Sequence, residues 1–488
     1  MILSEWMPYI LVAMKLLLGF VSLIFLISGL DDCFIDVCFL VRSIYRKFFI
    51  YTKYRPLEEE QLFSLPEQPI VVMIPAWDEW AVIRLMLLNT LKNLNYKNFY
   101  VFVGTYPNDL KTQSEVEKVR EVYPNVQLIV CPHNGPTNKA DCLNCICMGI
   151  KQFEKRNNIQ FAIYVMQDCE DVIHPLCYKL FNYLIPRKDM VQLPVFSFKV
   201  KWHQFTAGHY IDEFAQGHYK DIIVREVLNK SIPAAGVGCA FSRRAVHILS
   251  EHNNNQLFSL DSLTEDYDFG FRLKEYNLKQ IFVKFTITRT KMQKVFWSST
   301  PIKVQYKEYV CIREYFPKNF HASVRQKSRW IIGIALQGWA ILGWKGDLST
   351  KYMLFRDRKA IITNFVNFLG YLVVFSVVSL WIIIWVNPES YRYPPLLEQG
   401  TLLWNVILIN AVFLGLRILQ RAYCVQRLYG WGQAFLSVPR IIWGNVINFM
   451  ATCRAVRLYA RYLLTGKAIA WDKTVHHYPS EEEIKIIS

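Results

Sequence analysis

Four short polar clusters carry the side chains best suited to chemistry. In chain order they are Lys139 with Asp141 in NKADCLN, Asp168-Cys169-Glu170-Asp171, Thr264-Glu265-Asp266, and Gln326-Lys327-Ser328-Arg329-Trp330. The carboxylates crowded between 168 and 171 repel one another, and a cation is the natural compensation. Hard oxygen ligands at i and i+2, here Asp168 and Glu170, suit magnesium or manganese bridging to a diphosphate, with Asp171 as an orienting neighbour. The competing account is an acidic loop that caps a helix opening near His174-Pro175. A lysine beside a helix start opposes the helix dipole unless an anion sits there, so Lys139 is expected to face phosphate. For 264–266, one account makes Thr264 an N-cap with Glu265 and Asp266 in the first helical turn. The other makes a carboxylate of this pair the general base that takes the proton of an attacking hydroxyl.

Two further stretches stand beside these clusters. Pro75-Ala76-Trp77-Asp78-Glu79 offers an aromatic face and acidic groups that could hold a heterocyclic base, although Asp78 as a helix cap explains the same residues. Ala235-Gly236-Val237-Gly238 sets two glycines where backbone could approach a ligand closely. Cys142, Cys145 and Cys147 resemble a metal cluster at first sight, but they share a helical pattern with Leu143, Ile146 and Ile150 and read as core.

These side chains need a scaffold, and the surrounding pattern supplies one. Ile70–Ile74, Tyr100–Gly104, Val126–Val130 and Phe161–Met166 are short apolar runs, with helical periodicity from Ala81 to Leu94 after the first. Strands alternating with helices imply an α/β domain with a mostly parallel sheet, whose ligands bind beyond the carboxyl ends of the strands. The clusters fall at those ends.

Around this domain the chain is apolar, with 52% hydrophobic residues and 15% aromatics. Tyr9–Leu30, charged only at Lys15, is long enough to cross a bilayer and reads as a retained anchor. Ala360–Val386 and Leu402–Leu416 form a second and third span, joined by the loop from Asn387 to Pro395 with Arg392 as its one basic residue. Arg42, Arg46, Lys47, Lys53 and Arg55 follow the first span, Arg356, Arg358 and Lys359 precede the second, and Arg417, Arg421 and Arg427 close the third. The positive-inside rule then places residues 42–359 in the cytoplasm. Phe435–Leu464 carries Arg454, Arg457 and Arg461 at helical spacing and is expected to lie in the interface rather than span, as is Phe34–Phe49. The net charge of +16 is largely these juxtamembrane cations, and no zinc-finger, recognition-helix or RNA-binding signature accompanies it, which argues against a nucleic-acid polymer as partner. Cysteines in a cytoplasmic domain are expected to be reduced.

The order NKAD, DCED, TED, QKSRW resembles that of the family-two glycosyltransferases, membrane enzymes of the cellulose and hyaluronan synthase type. Segments such as GTYPND, GPTNKADCLN, HYIDEFAQGHYKD and AAGVGCAFSR are similar to one member over nearly the whole chain. The resemblance implies a cytoplasmic nucleotide-diphospho-sugar transferase domain over 56–317, preceded by an anchor and interfacial helix (1–55). It is followed by interfacial helices with the QxxRW motif (318–359), a transmembrane hairpin (360–433), and an interfacial helix with a cytoplasmic tail (434–488). It assigns Trp77 and Glu79 to the uracil, Lys139 to the diphosphate, Asp168 and Glu170 to the metal, and Asp266 to the catalytic base beside Glu265. Gln326 and Arg329 would meet the donor diphosphate or acceptor end, and Trp330 would stack on the acceptor sugar. Departures from the family pattern are Trp77-Asp78 for a tyrosine-asparagine pair and Glu170 for an aspartate. The implied activity is processive, inverting transfer from a UDP-sugar, with an N-acetylhexosamine as the sugar, into an exported polysaccharide. Transfer of one sugar to a lipid phosphate, or a non-catalytic membrane scaffold, are the alternatives. Longer relatives add a C-terminal domain thought to sense cyclic diguanylate; with the given chain ending at Ser488, either a separate regulator of that kind is expected or the chain is truncated, and an outer-membrane export partner is expected as well.

Overall fold

The computed structural model describes residues 2–293, 301–387, 395–467, 469, 478 and 479. The loop residues expected between Asn387 and Pro395, Arg392 among them, lie outside the described residues, as does most of the tail after 467.

The described residues form twelve strands: β1 (Ile70–Pro75), β2 (Phe99–Thr105), β3 (Val126–Val130), β4 (Ile163–Met166), β5 (Val172–Ile173), β6 (Met190–Gln192), β7 (Val195–Ser197), β8 (Cys239–Ser242), β9 (Gln280–Phe282), β10 (Thr286–Gln293), β11 (Ile302–Tyr309) and β12 (Ile312–Glu314). Seven make the central sheet in the order β3-β2-β1-β4-β8-β6-β9. The four strands expected from sequence are adjacent and parallel, whereas β8 runs antiparallel to both β4 and β6. Alternation along β1 explains why a continuous apolar run was needed. Ile70, Val72 and Ile74 pack on one face with Ile83, Met86 and Leu87, while Val71 and Met73 pack on the other with Cys142, Leu143 and Ile146. The cysteines of the Lys139–Asn157 helix are therefore core, and all twelve in the chain are free thiols.

From β1 the chain steps outward through β2 to β3 and returns to the other side of β1 as β4. This makes the β1/β4 boundary the switch point where an open α/β sheet leaves a crevice. A small second sheet, β5-β12-β7, closes over that crevice and brings Glu314 to it from late in the chain.

Among the described residues four helices are long and apolar enough to cross a membrane, one more than the three spans expected from sequence: Trp6–Ile50, Leu348–Val386, Leu402–Tyr429 and Trp431–Thr465. The first does not break at Asp31-Asp32, because those carboxylates are neutralised by other long helices. Asp31 pairs with Arg356 and Lys359 and accepts a hydrogen bond from Tyr352 (2.5 Å), and Asp32 pairs with Lys359 (3.2 Å) and Arg417 (3.6 Å). The last helix runs unbroken through Pro439 and packs on the α/β domain. Arg440, 1% exposed, donates to both oxygens of Asp212 (2.9 and 2.7 Å), the Ser328 hydroxyl donates to the Ala451 carbonyl (3.1 Å), and Phe449 stacks on Phe368 at 4.0 Å.

Candidate active site

A cavity of about 380 Å³ opens at the carboxyl ends of β1 and β4, between the sheet and the Phe320–Trp330 helix. Glu79, Lys139, Asp168, Glu170, Glu265, Asp266, Gln326, Arg329 and Trp330 all line it, so all four clusters contribute: the third in full, the second and fourth without Asp171, Lys327 and Ser328, and the first through its lysine. Asp141 turns away: it accepts from the Thr137 hydroxyl (2.7 Å) and faces His133 (2.7 Å), while Asn138 caps the helix on the Asp141 amide (2.8 Å). Lys139 is thus the first residue of its helix and points into the cavity. Trp77 is not among the lining residues; its ring meets Tyr106 edge-on at 5.4 Å and lies against Gly135.

Two capping accounts from the sequence are corrected. The helix after Thr264 begins only at Phe269 with Asp268 before it, and the Thr264 side chain bonds no helical amide. Glu265 and Asp266 therefore lie on an irregular turn, where their carboxylates are turned into the cavity rather than spent on a helix dipole. Asp78 adopts a positive φ of 54°, and the helix that follows starts at Ile83 with Val82 as its uncapped N-cap.

The electrostatics of the cavity are lopsided. Lys139 bonds Asp168 at 2.6 Å and stands 3.6 Å from Glu265. Burial opposes its charge, but Asp168, Glu265 and Asp266 outweigh burial and hold the ammonium well above its ordinary value. One lysine cannot satisfy them all. Burial and the repulsion of Glu265 push Asp266 up to about 8, against the pull of Lys139. Burial also raises Glu265, and burial with the charges of Asp168, Glu314 and Glu170 keeps Asp171 well above the carboxylate range. Asp171 Oδ2 accepts from the Asp168 amide at 2.8 Å, which fixes the turn that presents Asp168. Gly236, at φ 73°, lets backbone pass beside Asp266: a Cβ there would lie 2.8 Å from Asp266 Oδ2 and 3.4 Å from Lys139 Nζ.

The residues fit a hard divalent cation in one specific sense. Carboxylates on the cavity wall outnumber cations, which leaves negative charge to be compensated. Among the described residues no group of three or more His, Cys, Asp or Glu side chains could hold a metal unaided. Such a donor set matches magnesium or manganese held by one or two carboxylates and completed by substrate phosphates.

The QKSRW helix is docked from below. Lys327 points away from the cavity to Glu213 and over the Tyr210 ring (5.1 Å), and Trp330 packs on Tyr210 (6.0 Å) and Phe214 (6.1 Å). The wider helical turns that follow, Ile331–Gln337, reach the Thr264 turn: Gly333 lies against the Thr264 side chain, and Gln337 Oε1 accepts from the Leu263 amide at 2.9 Å. Sequence reasoning missed Phe214, His218, Arg225, Glu314 and Asp357, which also line the cavity. Asp357 was hidden in a basic juxtamembrane run. His218 lies within HYIDEFAQGHYKD and Arg225 in its continuation, whose density of polar residues on apolar helices was the available signal.

Residues 162–386, which begin at β4 and take in the DCED, TED and QKSRW clusters, match the model described as glycosyl transferase family group 2. These residues form a family-two glycosyltransferase domain. The whole chain is 43% identical over 479 residues to bacteriophage adsorption protein B of Escherichia coli K12, covering 96% of this chain and 63% of that one. Bacteriophage N4 adsorption protein B of Escherichia coli O157:H7 gives the same figures. The chain thus spans 63% of the length of these curated relatives. Among solved structures, it is similar to the mannosyltransferase PcManGT of Pyrobaculum calidifontis in complex with GDP-Man and Mn2+ (TM-score 0.46, 14% identity, 86% of this chain and 99% of that one). It is also similar to S. aureus TarS 1–349 (TM-score 0.34, 13% identity, 80% and 91%).

Proposed function

We propose that this glycosyltransferase is a processive, inverting polymerase of the bacterial inner membrane, which extends a polysaccharide from a UDP-sugar, an N-acetylhexosamine in our reading, on the cytoplasmic side. The observation that carries the reading is Asp266: a half-buried carboxyl pushed up to about 8, beside Lys139 and under the helix that bears Trp330. A carboxylate of that basicity is matched to removing a proton from a hydroxyl near neutral pH. In the proposed reaction the acceptor hydroxyl attacks the anomeric carbon, Asp266 takes its proton, the new glycosidic bond forms with inversion, and the bond to UDP breaks with its electron pair leaving on the diphosphate. Glu265 maintains the basicity of Asp266 by repulsion. Lys139, Gln326 and Arg329 orient the diphosphate or the acceptor end, Glu79 meets the base, and Trp330 offers its face to the acceptor sugar. Trp77 would act from outside the cavity by supporting the Gly135 loop. Asp168 and Glu170 would hold magnesium or manganese, which supplies neutralisation of the diphosphate.

The domain division expected from sequence accompanies this reading: an anchor and interfacial stretch over 1–55, the transferase over 56–317, interfacial helices over 318–359, a hairpin over 360–433, and an interfacial helix and tail over 434–488. The buried Arg440–Asp212 pair favours the interfacial position for the last helix, because it ties that helix to the domain we place in the cytoplasm. An export partner in the outer membrane and regulation by cyclic diguanylate belong to the same proposal.

A second reading takes its support from the phage adsorption relatives: the chain is part of a phage receptor assembly and transfers no sugar. Purified protein incubated with labelled nucleotide sugars, with and without magnesium or manganese, separates the readings by product size. Long products from a UDP-N-acetylhexosamine support polymerisation, a product of one added sugar supports the lipid-phosphate alternative, and no product with any donor supports the receptor role.

A further inference from the structure

Asp266 has a neighbour whose side chain goes the other way. The Tyr267 hydroxyl donates to Asp357 Oδ2 at 2.5 Å, and the same carboxylate accepts both guanidinium nitrogens of Arg225, Nη1 to Oδ1 and Nη2 to Oδ2, each at 2.8 Å. The three residues come from three elements: the turn of the base, the Ile222–Asn229 helix of the α/β domain, and the Leu348–Val386 helix at its membrane-proximal end. All three line the cavity, and the ion pair is largely buried, with Arg225 and Asp357 side chains 11% and 15% exposed. Phe271 closes the group, packing on Tyr267 at 5.7 Å and under Arg225 at 5.3 Å, and Gly338 allows the interfacial helix to lie against the Tyr267 ring.

We propose that Arg225, Asp357 and Tyr267 form a positioning triad that anchors the Asp266 turn to the Leu348–Val386 helix. The turn lacks regular structure, so nothing in helix or strand geometry fixes which way Asp266 points. Consecutive side chains on such a turn diverge, and pinning Tyr267 on one side sets the direction of Asp266 on the other. A bidentate arginine–carboxylate pair suits the task because its planar geometry admits one arrangement. Tyr267 and Arg225 act through Asp266 rather than on the substrate. The triad thereby makes the orientation of the base depend on the placement of a helix we read as membrane-spanning.

The inference rests on Asp266 being the base, and its test is chosen to stand apart from that reading. Tyr267→Phe and Asp357→Asn are made in the full chain, checked for monodispersity in detergent, and compared with the parent by hydrogen–deuterium exchange, UDP affinity and turnover. The triad predicts at least tenfold faster exchange over 264–268 with exchange over 165–172 unchanged, and turnover reduced at least tenfold with UDP affinity within twofold. Tyr267→Phe removes one hydroxyl and keeps the ring, so it remains informative if Asp357→Asn does not fold. Unchanged exchange at 264–268 in Tyr267→Phe overturns the anchor, and faster exchange with full turnover overturns the positioning role. If the parent protein transfers no sugar, the functional reading fails while the exchange data still decide whether the turn is anchored.

Discussion

Two partly buried ionic clusters use the same residue types to opposite ends. Between the long helices, Asp31 and Asp32 meet Arg356, Lys359 and Arg417, so two carboxylates share three cations. In the cavity, Lys139 is shared among Asp168, Glu265 and Asp266, and Asp266 is left so poorly compensated that burial lifts it to about 8. The first cluster is electrically closed and joins helices. The second is held short of neutrality by the fold, and that shortfall is what can bind a cation, retain a proton or accept one. Burial of charge is thus weak evidence of function on its own; the ratio of partners to charges separates the two cases.

The contrast leads to graded expectations. Chelating divalent metal should reach only the cavity: turnover is expected to fall on the order of 10³-fold, corresponding to several kcal/mol of lost charge stabilisation, with the melting temperature nearly unmoved. A comparable loss of folded protein would mean the helix cluster also depends on metal. Gly236→Ala should cost turnover about 10²-fold, since a Cβ at 2.8 Å from Asp266 displaces the base on a backbone that disfavours alanine. Wild-type kinetics would show that the base has room to move. The acid limb comes next in size. Asp266 must be ionised to accept a proton, so kcat/KM should fall about tenfold for each pH unit below about 8. Glu265→Gln removes a repulsion and should move that limb to lower pH; a limb that stays in place would remove Glu265 from the account of its basicity. The smallest effect on chemistry belongs to the helix cluster. Asp31→Asn should destabilise the protein by about 3 kcal/mol, because it leaves Arg356 and Lys359 with less than their charge, yet turnover per folded molecule should stay within about twofold.

What the sequence revealed and concealed follows the same division. Local apolar runs announced β1 to β4, and the clusters at their ends did meet, because strand ends of a parallel sheet converge at the switch point. Lys139, Asp168 and Glu265 were legible as misplaced or crowded charges. Arg225, Glu314 and Asp357 were not, since each is brought in by pairing between distant segments: a helix after β7, the late strand β12 returning to β5 and β7, and a long apolar helix docking on the domain. Thr264 misled for a related reason. Its spacing to Glu265 and Asp266 has the pattern of a cap, and only contact with Gly333 and Ser262 shows the turn being kept out of the helix. Trp77 has the composition for a base-binding face; its ring meets Tyr106 edge-on and does not line the cavity.

The decisive comparison is between the parent protein and Asp266→Asn, both purified in detergent, given labelled UDP-N-acetylhexosamine with magnesium or manganese, and assayed together for UDP binding and product length. The undercompensated base predicts equal UDP affinity and loss of polymer in the variant. Polymer of parent length from Asp266→Asn would contradict it.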